Sequence, residues 1–178
     1  MTYKTILDFW FREITRDMWF AKSEEFDREI KDRFEDIYLQ ARQGELFPWR
    51  ENIYGRLAEI IILDQFSRNM YRDTAQAFAT DNLALVLSQE AIALPDFEDL
   101  SDDEKRFVLM PWMHSESARI HEEAVQLFMK YHLEKPLKYE LQHKAIIDQF
   151  HRYPHRNKAL NRQSTKEELA FLQEFDGF

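Results

Sequence analysis

Three groups of residues in this chain carry types that can do chemistry. The first is Pro111-Trp112-Met113-His114-Ser115-Glu116. His114 could give or take a proton near neutral pH, and Glu116 could orient it. A plainer reading makes His114 and Ser115 helix-entry residues and Glu116 a favourable first-turn acid. The second group is a phrase written twice. Aligned without gaps, residues 61–72 and 145–156 share Ile62/Ile146, Asp64/Asp148, Gln65/Gln149, Phe66/Phe150, Arg68/Arg152 and Arg72/Arg156. On a helix each copy can bury its Phe on one face and set an Asp–Arg pair four residues apart on another. Read alone, the repeat needs no more than local ion pairs over buried rings. The third group is the stretch Gln149–Lys166, which holds no acid but holds Arg152, Arg156, Lys158, Arg162 and Lys166, with His151 and His155 beside them. Setting those five positive charges aside leaves the rest of the chain at −14, against −9 for the whole. Arginine forks beside a helix start suit phosphate or carboxylate. The same cations could instead cover acidic neighbours.

Other chemistries find no support. There are no cysteines, so disulfides, thiol catalysis and Cys-zinc sites are excluded. The six histidines show no HExxH spacing, and Pro154 spoils a helical pair of His151 and His155, so no metal or other cofactor is expected. His121 lies in an apolar stripe and reads as a satisfied core histidine. No Gly-rich phosphate loop or G-x-S-x-G elbow is present. The net charge of −9 argues against nucleic acid and anionic membrane as partners. The longest strongly apolar run, Ile60-Ile61-Ile62-Leu63, is too short to span a bilayer, and no signal peptide is read, so a cytoplasmic protein is expected.

The elements that must hold these residues are helical. With 3 Gly and 5 Pro in 178 residues, the composition suits long helices with tight connections, and no linker divides residues 1–178 into two domains. Ser23 is a candidate N-cap for a helix with the stripe Phe26, Ile30, Phe34, Ile37 and Ala41, stopped at Gly44. A second helix runs from about Ile53 to Asn69. Asp73 with Gln76, Ser101 with Glu104 and Ser164 with Glu167 have capping-box spacing. The first opens a run to Leu94, as one helix or two broken near Thr80-Asp81. The second opens a short helix that stops before Pro111. Further helices are expected over Glu116–Tyr131, from Pro136 to Pro154 with Leu141, Ala145, Ile146 and Phe150, and after Ser164 with Leu169, Leu172 and Phe175. The expected fold is all-α, built of antiparallel helix pairs in one domain.

The stretches ILDFWF at 6–11, IILDQFSRN at 61–69, PWMHSE at 111–116 and the segment 153–168 resemble the bacterial domain-of-unknown-function (DUF) family 924. The resemblance implies a tetratricopeptide-like (TPR-like) helical array and transfers no activity. It places family motif positions on Asp64, Gln65, Arg68, Asn69, His114, Ser115, Glu116, Pro154, His155, Arg156 and Asn157. A glycine is usual in that pattern where His151 and Asn161 stand. Glycine there would permit a left-handed turn or a close ligand, so relatives could hold a ligand differently.

Together these readings predict a polar pocket lined by the three motifs that binds a small anion, either a metabolite or an acidic peptide end. Arg68, Arg156 and Arg152 would clamp the anion, with Asp64, Gln65, Asn69, His155 and Asn157 around it. A rival reading is a hydrolase-type enzyme with His114 as base and Glu116 or Asp64 orienting it. A third is a helical scaffold for protein interactions. Convergence of His114, Arg68 and Arg156 on one concave site separates the first two from the third.

Overall fold

The computed structural model describes residues 1–175 and 177. Among them there is no strand, and the chain is all-α. A short first helix, α1 (Tyr3–Asp8), runs into a π-helical turn at Phe9–Glu13, followed by a 3-10 turn at Arg16–Phe20. The second helix, α2 (Glu24–Arg42), starts where the Ser23 hydroxyl accepts the Phe26 N–H at 3.3 Å. Its predicted stripe is buried in full. Gly44, at φ +75°, takes the left-handed turn that ends the segment.

The next helix, α3 (Ile53–Ile61), is buried over most of its surface and packs against α1 and two later helices, α5 (Asp81–Ile92) and α6 (Asp102–Met113). Gly55 makes its approach possible, because a Cβ there would lie 1.8 Å from the Trp49 carbonyl oxygen. The segment predicted as one helix to Asn69 is interrupted. A π-helical turn at Ile62–Phe66 separates α3 from the short α4 (Ser67–Met70). The five residues of that turn, Asp64 among them, are all buried.

From there consecutive helices pack on one another: α5 on α6, α6 on α7 (Ala118–Lys130), and α7 on α8 (Glu134–Phe150). The last two connections are so short that the helices must reverse direction, giving antiparallel neighbours. The chain ends in α9 (Lys166–Glu174). Most of the core is one aromatic-rich cluster, in which Phe66 lies 4.9 Å from Phe34 and 5.5 Å from Trp10, ring centre to ring centre. A separate small cluster near the C-terminus joins Ile146, Ile147 and Tyr153 with Phe150, Phe171 and Phe175.

Several local expectations are corrected. Asp73 sits at φ +61° and Gln76 falls in a 3-10 turn, Ala75–Phe78, so no capping box forms there. The box expected at Ser164 and Glu167 is shifted one residue, to Thr165 and Glu168. Leu169 is therefore exposed, and Glu168 and Phe171 turn inward. Pro111 does not stop α6. The Ser88 hydroxyl donates to the Val108 carbonyl at 2.5 Å, and Trp112 Nε1 donates to Ser88 Oγ at 2.8 Å, so side chains support the helix past the proline. Helix α8 ends at His151 (φ +58°), before Pro154, and buries Glu140 and His143 while Leu141 stays exposed. His151 and Asn161 (φ +53°) both take the left-handed conformation that a glycine there would favour.

Candidate functional site

The π-helical turn carries Asp64 into the interior, where a carboxylate must find partners or lose its charge. Its Oδ1 lies 2.7 Å from His114 Nδ1 and 3.2 Å from Arg68 Nη1, and its Oδ2 accepts from Gln65 Nε2 at 2.5 Å. Burial pushes the Asp64 carboxyl up, but His114, Arg68 and the bond from Gln65 outweigh it and hold it well below the usual range. Arg68 extends the chain of charges. One of its nitrogens also donates to the Asp64 carbonyl at 2.7 Å, and its fork meets Asp81 at 2.9 and 3.0 Å. Asp81, in the first turn of α5, then accepts from Arg156 at 3.1 Å. The other end of the Arg156 fork donates to the His114 carbonyl at 3.0 Å, closing a ring of contacts. The Arg156 guanidinium lies between the rings of Phe78 and Tyr153, at 4.6 and 4.5 Å. Its buried Nε–H has no partner among the described residues.

His114 follows α6, its backbone N–H bonded to the Met110 carbonyl. Burial lowers its pKa, the Arg68 charge lowers it further, and Asp64 only partly offsets them. The neutral ring that results donates from Nδ1–H to Asp64 and carries a lone pair on Nε2. Among the described residues none hydrogen-bonds to Nε2, and that atom is not sealed from solvent. Nearby His121 differs. Its Nδ1 meets Glu140 at 2.6 Å and its Nε2 meets the Ser115 carbonyl at 2.8 Å, so both ring nitrogens are spent, as the core-histidine reading expects. Burial raises the Glu140 carboxyl's pKa, and its bond to His121 offsets only part of that.

His114 borders a polar cleft of about 340 Å³, lined also by Asp81, Ser115, Glu116, Arg156 and Phe78. Glu116 does not orient His114. It takes the Arg162 fork at 2.8 and 2.9 Å and accepts the Tyr153 N–H at 2.8 Å, pinning the loop after α6 to the C-terminal segment. Burial pushes its carboxyl up, but those bonds outweigh it and hold it below the ordinary value.

The structure thus brings together Asp64, Gln65, Arg68, His114 and Arg156 from the predicted set, with Glu116 at the cleft's edge. It directs others elsewhere. Asn69 donates to Asp27 on α2 at 2.8 Å, beside Arg72. Arg152 forks onto Glu168 at 2.6 and 2.8 Å, and Asn157 donates to Ser164 and Glu168. His155 stacks on Phe175, and desolvation together with the Arg156 charge lowers its pKa to about 4. Three arginines of the acid-free stretch therefore meet acids from other parts of the chain: Glu168, Asp81 and Glu116. Sequence reasoning missed Asp81, which it met only as a helix break. An acid in a first helical turn is commonplace, so only the need to neutralise both Arg68 and Arg156 could have singled it out.

The fold and site define an all-α protein in which a buried network of alternating charges holds one histidine at the edge of a cleft. The chain belongs to the DUF924 family: the model for this family, a bacterial protein of unknown function, matches residues 6–176. Its structure is similar to that of ATU0120, a protein of unknown function from Agrobacterium tumefaciens, with a TM-score of 0.89 and 36% identity over 97% of each chain. No functionally curated protein matches the chain. Among the described residues, no helix is long and apolar enough to cross a membrane.

Proposed function

We propose that the cleft beside His114 binds a small polar molecule and that His114 exchanges a proton with it. One observation carries this reading. Asp64 fixes one ring nitrogen of His114 while the other has no partner among the described residues, and His121, a few residues away, has both nitrogens satisfied. A neutral imidazole oriented by a buried carboxylate is suited to general base catalysis. The orienting group in this reading is Asp64, with Glu116 holding the loop.

The ligand's charge follows from the balance around it. Arg156 lines the cleft, and a guanidinium there favours an oxygen-bearing ligand. Arg68 and Arg156 already face Asp64 and Asp81, so a ligand with a single negative charge, such as a carboxylate metabolite or a peptide end, fits better than a phosphate dianion.

Native mass spectrometry of gently purified protein tests the reading, with His114→Asn as the comparison. Asparagine keeps a donor toward Asp64 and removes Nε2. A small molecule retained by the wild type and lost from the folded variant is the expected result. Equal retention by both, or none by either after incubation with a cell extract, contradicts it.

A further inference from the structure

A second cavity, of about 180 Å³, lies between α6 and α8 and shares only His114 with the polar cleft. Arg106, Met110 and Met113 line it from one face of α6, at spacings of four and three. Pro136, Tyr139 and His143 line it from one face of α8, and Phe20 closes one side. Its two ends differ in character. Met110, Met113, Pro136 and His143 are buried, whereas Phe20 is 48% and Tyr139 44% exposed. The cavity therefore has an apolar floor and opens to water beside two aromatic rings.

Arg106 stands at that opening, its guanidinium 4.6 Å from the centre of the Phe20 ring. No described residue pairs with its charge. The acid three residues earlier, Asp103, is engaged by Arg16. Burial lowers the pKa of Arg106, and Asp103 and Tyr139 offset it only in part. A half-buried guanidinium without an acid is costly unless something supplies the missing charge. Every other arginine around His114 has its carboxylate, so Arg106 is the exception that faces a void.

We propose that this cavity binds a small apolar monocarboxylate, with its hydrocarbon body among Met110, Met113 and Pro136 and its carboxylate accepting from the Arg106 fork. The size fits: benzene occupies an engineered apolar cavity of about 150 Å³ in another protein, so a body of roughly six carbons can enter here. Methionine floors adapt to branched, linear or aromatic bodies, so the site selects by charge and size more than by shape. The proposal does not rest on the polar cleft and stands or falls by different residues.

The test is an NMR titration of protein with isotopically labelled methionine methyls, assigned by Met110→Leu and Met113→Leu. The probes are sodium hexanoate, hexanamide and hexanol at matched ionic strength. Hexanoate should shift the Met110 and Met113 methyls saturably, and hexanamide should bind about tenfold more weakly or worse. Arg106→Gln, at a half-exposed position, should fold and lose the preference for the acid over the amide. The proposal is overturned if hexanoate leaves both methyls unmoved or if the amide binds as well as the acid. It is also overturned if Arg106→Gln keeps the wild-type affinity for hexanoate. The wild-type comparison of acid with amide decides the matter even if the variant does not fold.

Discussion

The two DQF phrases share their letters and almost nothing else. In the first, Asp64 is fully buried and faces His114 and Arg68. In the second, the Asp148 side chain is 50% exposed and is held by Lys144, one turn earlier on α8. Phe66 sits at the centre of the main aromatic core, and Phe150 is only partly buried, against Phe171. Arg68 meets the aspartate of its own phrase, while Arg152 ignores Asp148 and forks onto Glu168. The difference traces to the backbone. A π-helical turn over Ile62–Phe66 holds Asp64, Gln65 and Phe66 of the first phrase inward, and an unbroken α-helix keeps Asp148 and Gln149 on the solvent face. One sequence pattern can therefore serve a buried site or a surface, and the turn type decides which. The phrases still meet, because Arg68 from the first and Arg156 from the second share Asp81.

The largest effect that sharpens this contrast is expected at Asp64. Asp64→Asn leaves Arg68 short of a buried partner and should cost about 3–5 kcal/mol in denaturant melts. A loss under about 1 kcal/mol would mean that the network is not the buried, coupled unit described. Phe66→Ala should cost about 3–5 kcal/mol, and Phe150→Ala roughly half as much. Equal losses at the two positions would erase the distinction between the cores.

Acid should act next. Burial lowers His143 to about 2, with the neighbouring histidines adding to it, and His114 moves the same way. A folded-state pKa below the unfolded value means that the unfolded chain binds protons first, so stability falls as pH drops below about 6.5. His143 alone accounts for roughly 3 kcal/mol between about pH 6.5 and about pH 4. Glu140, whose pKa is raised, acts in the opposite sense and recovers part of this on protonation. Asp64, whose pKa is depressed, adds its loss only at more acid pH. Chemical denaturation across this range checks the slope, and a flat profile would contradict it. The smallest effect belongs to the second phrase: Asp148→Asn should change stability by about 0.5 kcal/mol or less, since its pair is exposed.

Much of the fold was legible because apolar spacing and caps are local signals. The α2 stripe, its Ser23 cap, the box at Ser101 and the break near Thr80 all appear where the sequence places them. The inward face of α8 was legible only in part: Ile146 is buried and Phe150 partly buried as expected, but the face also holds Glu140 and His143, and apolar counting assigns such residues to solvent. Convergence of His114, Arg68 and Arg156 was posed as the condition that separates a binding site from a scaffold. The acid joining them was not foreseen, and of the two acids weighed as partners of His114, Glu116 and Asp64, it is Asp64 that bonds the ring. Charge neutralisation is a long-range property here: Asp81 and Arg156 lie 75 positions apart, and no spacing rule reaches that far.

The central claim is that the first phrase makes His114 a neutral base with its outer nitrogen open. Nitrogen NMR of the labelled histidine ring, assigned by His114→Asn and recorded at neutral pH, tests it most directly. The account predicts a protonated Nδ1, an unprotonated Nε2 and a titration midpoint below about 6.5. A proton on Nε2 of His114, or a doubly protonated ring at neutral pH, would contradict it.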